Sequence, residues 1–286
     1  MIPGSLKALY PNPVLAMGGA PVVVFRDHRW TLPVVHIAVE QGLVATPVPI
    51  VMFDRHRDSL PSAVTGAIRE YRTAGTLDGI ISLTACLSPR DDDWIIAGME
   101  AGLISDVVQF RSERDDLGTI TCHRDASGKL HRIFHLGLPG RELSYKGALA
   151  DPEHEAASEG LWEVMGWNPR TGAMERKTGG FVLDIDLDFF TISWETYTIP
   201  FPEEVYRGEF FEPRESPNHA EYPPVTLIRA LSGAAGVITV ACEPDFCGGE
   251  RNARRILEDV NRYIFESALD VGRLRVDYEQ KYPSGG

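Results

Sequence analysis

The sequence predicts an α/β protein, a three-layer α/β/α sandwich in which helices cover both faces of a mostly parallel sheet. Short apolar runs alternate along the chain with longer segments of helical periodicity, which is the order that βαβ units produce. The runs lack polar alternation, as strands buried on both faces do. With 286 residues, 43% of them hydrophobic, the chain has enough apolar surface for one large core. We therefore predict a single domain over residues 1–286, with residues 112–178 and 195–224 as irregular insertions.

Six short apolar runs are predicted to be strands. In chain order they are PVVVF (21–25), VPIVMF (48–53), DGIISL (78–83), SDVVQF (105–110), GFVLDI (180–185) and GVITVAC (236–242). Between the fourth and the fifth, TITCH and LHRIFHL flank a Gly-Lys turn at 128–129, which predicts a hairpin.

Five segments are predicted to be helices because their apolar residues recur at helical spacing. In chain order they cover residues 32–43, 62–75, 91–103, 224–236 and 249–269. The third opens with Asp91, Asp92 and Asp93, and acids at this position favour a helix start. A further helix is predicted around EAASEGLWEVMGW (155–167).

Composition argues against several functional classes. The formal net charge of -13 argues against a nucleic-acid-binding protein and weakly favours a cationic substrate or a metal ion. No apolar run reaches the length of a membrane-spanning helix, and the N-terminal sequence lacks the pattern of a signal peptide. Cys86, Cys122, Cys242 and Cys247 show no CxxC spacing, so we expect reduced thiols in a cytoplasmic protein.

Three of the predicted strands end in acids and histidines. The side chains concerned are His28 after the first strand, Asp54, His56 and Asp58 after the second, and Asp184, Asp186 and Asp188 after GFVL. Because the carboxyl ends of parallel strands share one edge of a sheet, these groups are predicted to meet there. Carboxylates at such close range raise one another's pKa unless a cation neutralises them. Imidazole together with carboxylate suits manganese, iron or zinc.

Each cluster by itself has a simpler interpretation. An isolated Asp-x-His-x-Asp is typical of a solvated turn or a salt-bridge cluster, and His28 alone is typical of a structural histidine. DIDLD is similar to the start of an EF-hand loop, with Glu195 at the twelfth position, but Phe189 stands where that loop requires glycine. The occurrence of all three clusters in chain order is what favours a metal site.

The order FRDH, FDRHRDS and LDIDLDFF resembles the metal-binding motifs of the arginase and histone-deacetylase superfamily. Together with the helix sequence DWI, it most resembles an arginase-like family that includes peptide arginases, which convert arginine to ornithine within ribosomally made natural-product peptides. Two features depart from ureohydrolases. Phe25 and Arg26 stand in place of glycines, and SLPSAV (59–64) has no counterpart of the loop that reads the α-groups of free arginine.

The resemblance implies two manganese ions per chain. The expected ligands are His28, Asp54, Asp58 and Asp184 for one ion, and Asp54, His56, Asp184 and Asp186 for the other. Asp58 is also the expected catalytic proton acceptor, and Glu243 is the acid expected to hold the guanidinium. Asp188 and Asp245 are expected to support the ligands or to bind substrate.

The implied reaction is the hydrolysis of the guanidinium of peptidyl arginine to ornithine and urea. The expected partner is an arginine-containing peptide. Binding to nucleic acid or to a membrane is not expected, and the formation of a homo-oligomer is left open. The acidic, proline-rich residues 195–224 either flank a groove for that peptide or form a solvated loop. Two other functions are alternatives: a deacetylase-like zinc amidohydrolase, although the chain has no His-His pair, and a non-enzymatic binding protein on the same scaffold.

The remaining histidines of the predicted elements are expected to be structural. His36 lies in an apolar helix, which indicates a packed or hydrogen-bonded side chain. His123, His131 and His135 lie in the predicted hairpin, and a proton-relay role is the alternative for each of them.

Overall fold

The computed structural model of the protein has an α/β fold with one large, mostly parallel sheet. The residues that the structure describes are 2, 4–10, 13–15, 19–90, 92–112, 119–137, 167–168, 173–174, 180–194, 197–205, 215–216, 219–220 and 224–269. The helix predicted around 155–167 lies outside this set apart from its last residue. None of the helices in the described segments has the length and apolar character needed to cross a membrane.

The described segments contain fourteen strands. They are β1 Val14–Leu15, β2 Pro21–Phe25, β3 Val48–Asp54, β4 Ile104–Arg111, β5 Thr119–Arg124, β6 Leu130–Gly137, β7 Trp167–Asn168, β8 Ala173–Met174, β9 Val182–Asp186, β10 Thr191–Trp194, β11 Tyr197–Pro200, β12 Glu215–Ser216, β13 His219–Ala220 and β14 Val237–Ala241. Eight of them form the main sheet, in the order β1-β2-β14-β9-β3-β4-β6-β5. Six neighbouring strands of this sheet pair in parallel, namely β2, β14, β9, β3, β4 and β6. The two edge strands, β1 and β5, pair antiparallel with their neighbours. The predicted mostly parallel sheet and the β5–β6 hairpin are therefore confirmed.

The register of the central strands brings their carboxyl ends to one level. Ala241 at the end of β14 lies beside Phe25 of β2 and beside Asp186 of β9. On the other side of β9, Ile185 lies beside Phe53 of β3. Side chains that follow these four strands therefore emerge at the same edge of the sheet, as in other open parallel sheets.

Helices connect the strands. They are α1 Gly4–Leu9, α2 Thr31–Glu40, α3 Thr65–Ala74, α4 Leu77–Cys86, α5 Trp94–Glu100, α6 Glu203–Val205, α7 Pro224–Ala234 and α8 Glu250–Tyr263. Two short 3-10 helices, His28–Trp30 and Leu187–Phe190, follow β2 and β9. The five helices predicted at 32–43, 62–75, 91–103, 224–236 and 249–269 are confirmed with shorter bounds.

The strand predicted at residues 78–83 is wrong, because those residues lie in α4. Thr76 is the N-cap of this helix, and its hydroxyl accepts a hydrogen bond from the Gly79 N–H at 3.2 Å. Gly75 ends the preceding helix with φ +61°, a left-handed conformation that glycine adopts without steric cost. An apolar run as short as this one fits a buried helix as well as a buried strand, and here the cap decides.

Buried apolar side chains form two clusters to which each central strand contributes alternately. Val51 and Phe53 of β3 belong to the cluster that contains the apolar residues of α7 and α8. Ile50 and Met52 belong to the cluster that contains those of α2, α4 and α5. Because successive strand residues point to opposite faces, each face of the sheet contributes to one of the two cores.

Candidate metal centre

The acids and histidines predicted at the strand ends lie together at the carboxyl edge of the sheet. Asp54 is the last residue of β3, and Asp186 is the last residue of β9. His28 opens the 3-10 helix that follows β2, and Glu243 follows β14 after a single intervening cysteine. The four strands are neighbours and end at one level, so these side chains converge.

The first group in the centre is formed by His28, Asp54, Asp58 and Asp186. One potential ligand atom of each lies within 4.8 Å of the others. The His28 Nδ1 atom lies 2.7 Å from Asp58 Oδ2 and 3.2 Å from Asp186 Oδ2. All four side chains are buried. An imidazole and three carboxylates at this spacing could surround one divalent cation.

The second group is formed by Asp54, His56 and Asp188. The His56 Nδ1 atom lies 2.6 Å from Asp188 Oδ2, and the His56 backbone N–H donates to Asp54 Oδ1 at 2.6 Å. Asp54 thus belongs to both groups. The His56 side chain is 36% exposed, whereas that of Asp188 is fully buried, so the centre reaches solvent on the His56 side. The Phe246 ring lies edge-on to His56 there, with ring centroids 4.9 Å apart.

A third grouping joins Asp186 and Asp188 to Glu243. The Glu243 Oε1 atom accepts a hydrogen bond from the His28 backbone N–H at 3.2 Å. Glu243 has φ +36°, a region that non-glycine residues rarely occupy, and its side chain is buried. The strained backbone at the end of β14 therefore directs a carboxylate toward the two aspartates of the neighbouring strand segment.

Three buried polar atoms of the centre have close neighbours among its side chains but no partner in hydrogen-bonding geometry. They are His28 Nδ1, Asp186 Oδ2 and Asp188 Oδ2. Buried polar atoms in proteins are almost always satisfied, and a buried charge is costly unless it is paired or coordinates a metal. Nitrogen and carboxylate oxygens are the donor set expected for manganese, iron or zinc. These residues therefore fit a divalent metal ion.

The acids of the centre raise one another's pKa. Burial, followed by the charges of Asp58 and Asp188, raises the pKa of Asp54 well above its ordinary value. Burial and the charge of Asp188 raise the pKa of Asp186 to about 6. A cation between these carboxylates would relieve the repulsion and stabilise their ionised forms.

The two histidines are shifted by the same acids. Burial lowers the pKa of His28, but the charges of Asp184 and Asp58 outweigh that effect and raise the pKa well above its ordinary value. Burial also lowers the pKa of His56. The contact of the ring with Asp188 outweighs this effect, and the pKa rises to about 9. His56 is therefore protonated at neutral pH before a metal binds, and the acids around His28 favour its protonated form.

Metal binding is expected to tighten as the pH rises from 6 to 9. Asp186, with a pKa of about 6, must lose its proton to become a ligand, and so must His56, with a pKa of about 9. Lowering the pH therefore favours the protonated, metal-free form, and binding at pH 7 should release protons. Calorimetric titration of manganese in two buffers of different ionisation enthalpy measures this release. Equal heats in both buffers would contradict the prediction.

The structure places Asp184 differently from the expected bridging ligand. Its Oδ1 accepts hydrogen bonds from the hydroxyls of Thr31 at 3.1 Å and Thr239 at 2.5 Å. Its Oδ2 lies 2.5 Å from His28 Nε2, the ring nitrogen opposite the one that faces the acids. Both oxygens are thus engaged behind His28. Asp184 belongs to none of the three groups, and a carboxylate placed behind an imidazole in this way orients the ring.

Asp188, expected to support the ligands or to bind substrate, lies beside His56 in the centre. It belongs to two of the three groups, and its Oδ1 accepts a hydrogen bond from the Arg55 backbone N–H at 3.2 Å. Asp245, expected as a supporting acid, is 89% exposed and pairs with Arg26 at 3.9 Å. Asp93 lies outside the centre, where it accepts hydrogen bonds from Ser62 and Ser88. Asp91 and most of residues 195–224 lie outside the described residues.

Trp94 is a supporting residue that the sequence analysis did not assign to the site. Its indole Nε1–H donates to Asp58 Oδ2 at 3.0 Å, and its ring lies 4.9 Å from the His28 ring, centroid to centroid. Asp58 itself has φ +47°. The signal was present in the helix sequence DWI, because a fully buried tryptophan needs a partner for its N–H.

The other histidines have structural contacts. His36 is buried and shares a hydrogen bond of 2.9 Å with the Tyr71 hydroxyl, which confirms the expected packed and hydrogen-bonded side chain. His123 contacts Glu100, and His131 contacts the backbone carbonyl of Ser105.

Comparisons with known proteins leave the family of this chain open. No protein-family model matches it, and no curated protein sequence is significantly similar to it.

Proposed function

We propose that this protein is a manganese-dependent ureohydrolase that converts arginine within a peptide to ornithine and urea. The observation that carries the proposal is Asp54, which belongs to two separable groups of ligands in one buried centre. A carboxylate shared by two groups is the arrangement that a pair of metal ions requires. A three-layer sandwich of the arginase and deacetylase type is part of the proposal, and it is supported by the two apolar clusters.

The ligand set proposed for the two ions differs from the first expectation by one residue. One ion would be held by His28, Asp54, Asp58 and Asp186, and the other by Asp54, His56, Asp186 and Asp188. Asp186 is shared because it also belongs to the grouping with Asp188. Asp184 is assigned to the orientation of His28, since it belongs to none of the three groups and lies against the His28 nitrogen opposite the one that faces them.

The residues of the centre suit the hydrolysis of a guanidinium group. Two divalent ions bound here would make water a stronger nucleophile at neutral pH and stabilise negative charge as it develops. Asp58, held by the Trp94 indole, accepts the proton that the attacking water loses. Glu243 accepts hydrogen bonds from the guanidinium and fixes its carbon for attack. The bond from that carbon to the side-chain Nε then breaks, the proton passes to the departing Nε, and the products are urea and the ornithine amine.

Arginine within a peptide is expected to be a much better substrate than free arginine. Residues 59–64 run directly from Asp58 to α3, and the Ser62 hydroxyl in this segment is already bonded to Asp93 at 2.9 Å. The segment therefore offers little to bind a free α-carboxylate and α-amine. Urea release with manganese should be compared for free arginine and for an arginine peptide blocked at both ends, and we expect a difference of at least about tenfold.

The same peptide with lysine in place of arginine is the matched control and should release no urea. Faster release from free arginine would reject the peptide substrate and leave the ureohydrolase proposal standing. Absence of urea from both substrates, with two ions bound, would reject the ureohydrolase itself. A single tightly held zinc ion would instead favour the deacetylase-like amide hydrolase.

A further inference from the structure

Strand β4 contributes no ligand, yet it carries a fully buried glutamine beside the centre. Gln109 lies in the apolar run VVQF, in register with Met52 of β3 on one side and with His135 of β6 on the other. A buried amide has four hydrogen-bonding positions to satisfy, and leaving them empty is costly. The contacts that Gln109 makes are therefore informative.

The amide nitrogen of Gln109 faces the shared ligand segment. Its Nε2 donates to Asp54 Oδ2 at 3.3 Å and to the backbone carbonyl oxygen of His56. The His56 carbonyl can only accept, and so can Asp54 in the ionised form that binds a metal. The opposite amide orientation would place Oε1 against them and lose both bonds, so the NH₂ group must point this way.

The opposite end of the amide is held by His135. Gln109 Oε1 lies 3.1 Å from His135 Nδ1, and this oxygen can only accept, so Nδ1 carries the hydrogen. Burial and the charge of Arg111 lower the pKa of His135 to about 4, so the ring is neutral, and its Nε2 accepts from the Thr121 hydroxyl at 2.9 Å. One directed chain of hydrogen bonds runs from Thr121 on the edge strand to Asp54.

We propose that Gln109, oriented by His135, is a positioning residue that fixes Asp54 and His56 for metal binding. Asp54 is the carboxylate common to both ligand groups, and His56 is the histidine of the second group, so one amide holds ligands for both ions. Arg111, two residues further along β4, supports the same segment by donating to the Arg55 carbonyl at 3.3 Å. The inference rests on the metal centre of the proposed function and is independent of its substrate.

The test replaces the amide and its partner separately. Gln109→Met keeps the length of the side chain and removes both donors, and His135→Leu removes the donor that orients the amide. Loss of such a partner typically weakens metal binding about 10- to 100-fold, and we expect this range for manganese in both variants. His131→Leu is the matched control, because His131 is buried on the same strand but contacts Ser105 and Asp125 instead. It should bind manganese within about twofold of the wild type.

A second measurement needs no variant. Nitrogen-15 NMR of the imidazole rings in the wild-type protein should show His135 as the neutral tautomer with the hydrogen on Nδ1. The Nε2–H tautomer, or unchanged manganese affinity in a folded Gln109→Met protein, would overturn the inference. Wild-type protein that binds manganese but releases no urea would reject the proposed reaction and leave the role of Gln109 intact.

Discussion

Replacement of Asp54 by asparagine is expected to release both manganese ions and to lower urea production from a peptide at least about a thousandfold. The side chain is fully buried and belongs to both ligand groups, so no other residue can substitute for it. An amide also carries no charge to offset the cations. Elemental analysis of the purified variant should find close to no bound metal, whereas the wild type is expected to hold two ions per chain.

Two further variants distinguish the loss of a metal ligand from a general loss of stability. Asp93→Asn changes another buried aspartate that hydrogen bonds only outside the centre, and it should keep both ions. Asp184→Asn would present an N–H to His28 Nε2 and force the ring hydrogen onto Nδ1, the atom that faces the metal ligands. We expect this variant to lower the affinity for one manganese ion about 10- to 100-fold and to leave the affinity for the other unchanged. Retention of both ions by Asp54→Asn would refute the shared-ligand arrangement.

The sequence predicted which strand ends converge, but it did not predict which aspartates of DIDLD face the centre. That choice depends on the residue at which β9 ends. Asp184 lies within the strand, in register with Thr239 and Met52, whereas Asp186 ends it. Two residues along a strand span roughly 6.6 Å, so Asp184 falls behind the cluster and Asp188 moves into it. An apolar run does not predict the end of a strand to within two residues, so the sequence could not distinguish Asp184 from Asp188.

Residues that support the ligands were the least visible in the sequence. His28, Asp54, His56 and Asp58 are charged or titratable groups that follow strands directly, and this pattern predicted them. Gln109 is a single polar residue inside an apolar strand, and its partners come from segments far away in the sequence. Only the register of three adjacent strands brings these partners together. Such contacts depend on tertiary structure, which a single sequence does not specify locally.

Glu243→Gln is expected to keep both metal ions and to lower kcat/KM for an arginine peptide about a hundredfold. The carboxylate is buried beside Asp186 and Asp188, where the guanidinium of a substrate would sit against the metal ligands. A glutamine has nearly the same shape and can still accept the hydrogen bond from the His28 backbone N–H. It loses the negative charge and one of the two oxygens that can accept from a guanidinium.

The matched control for this variant is Asp245→Asn. Asp245 follows Glu243 closely in the chain, but its side chain is 89% exposed and pairs weakly with Arg26. Removal of an exposed charge of this kind should change kcat/KM by no more than about threefold. Elemental analysis and steady-state kinetics on both variants give the comparison. A large loss in Asp245→Asn with normal turnover in Glu243→Gln would assign the guanidinium to the exposed acid. Loss of metal from Glu243→Gln would make Glu243 a ligand, because a residue that only holds the substrate leaves the ions in place.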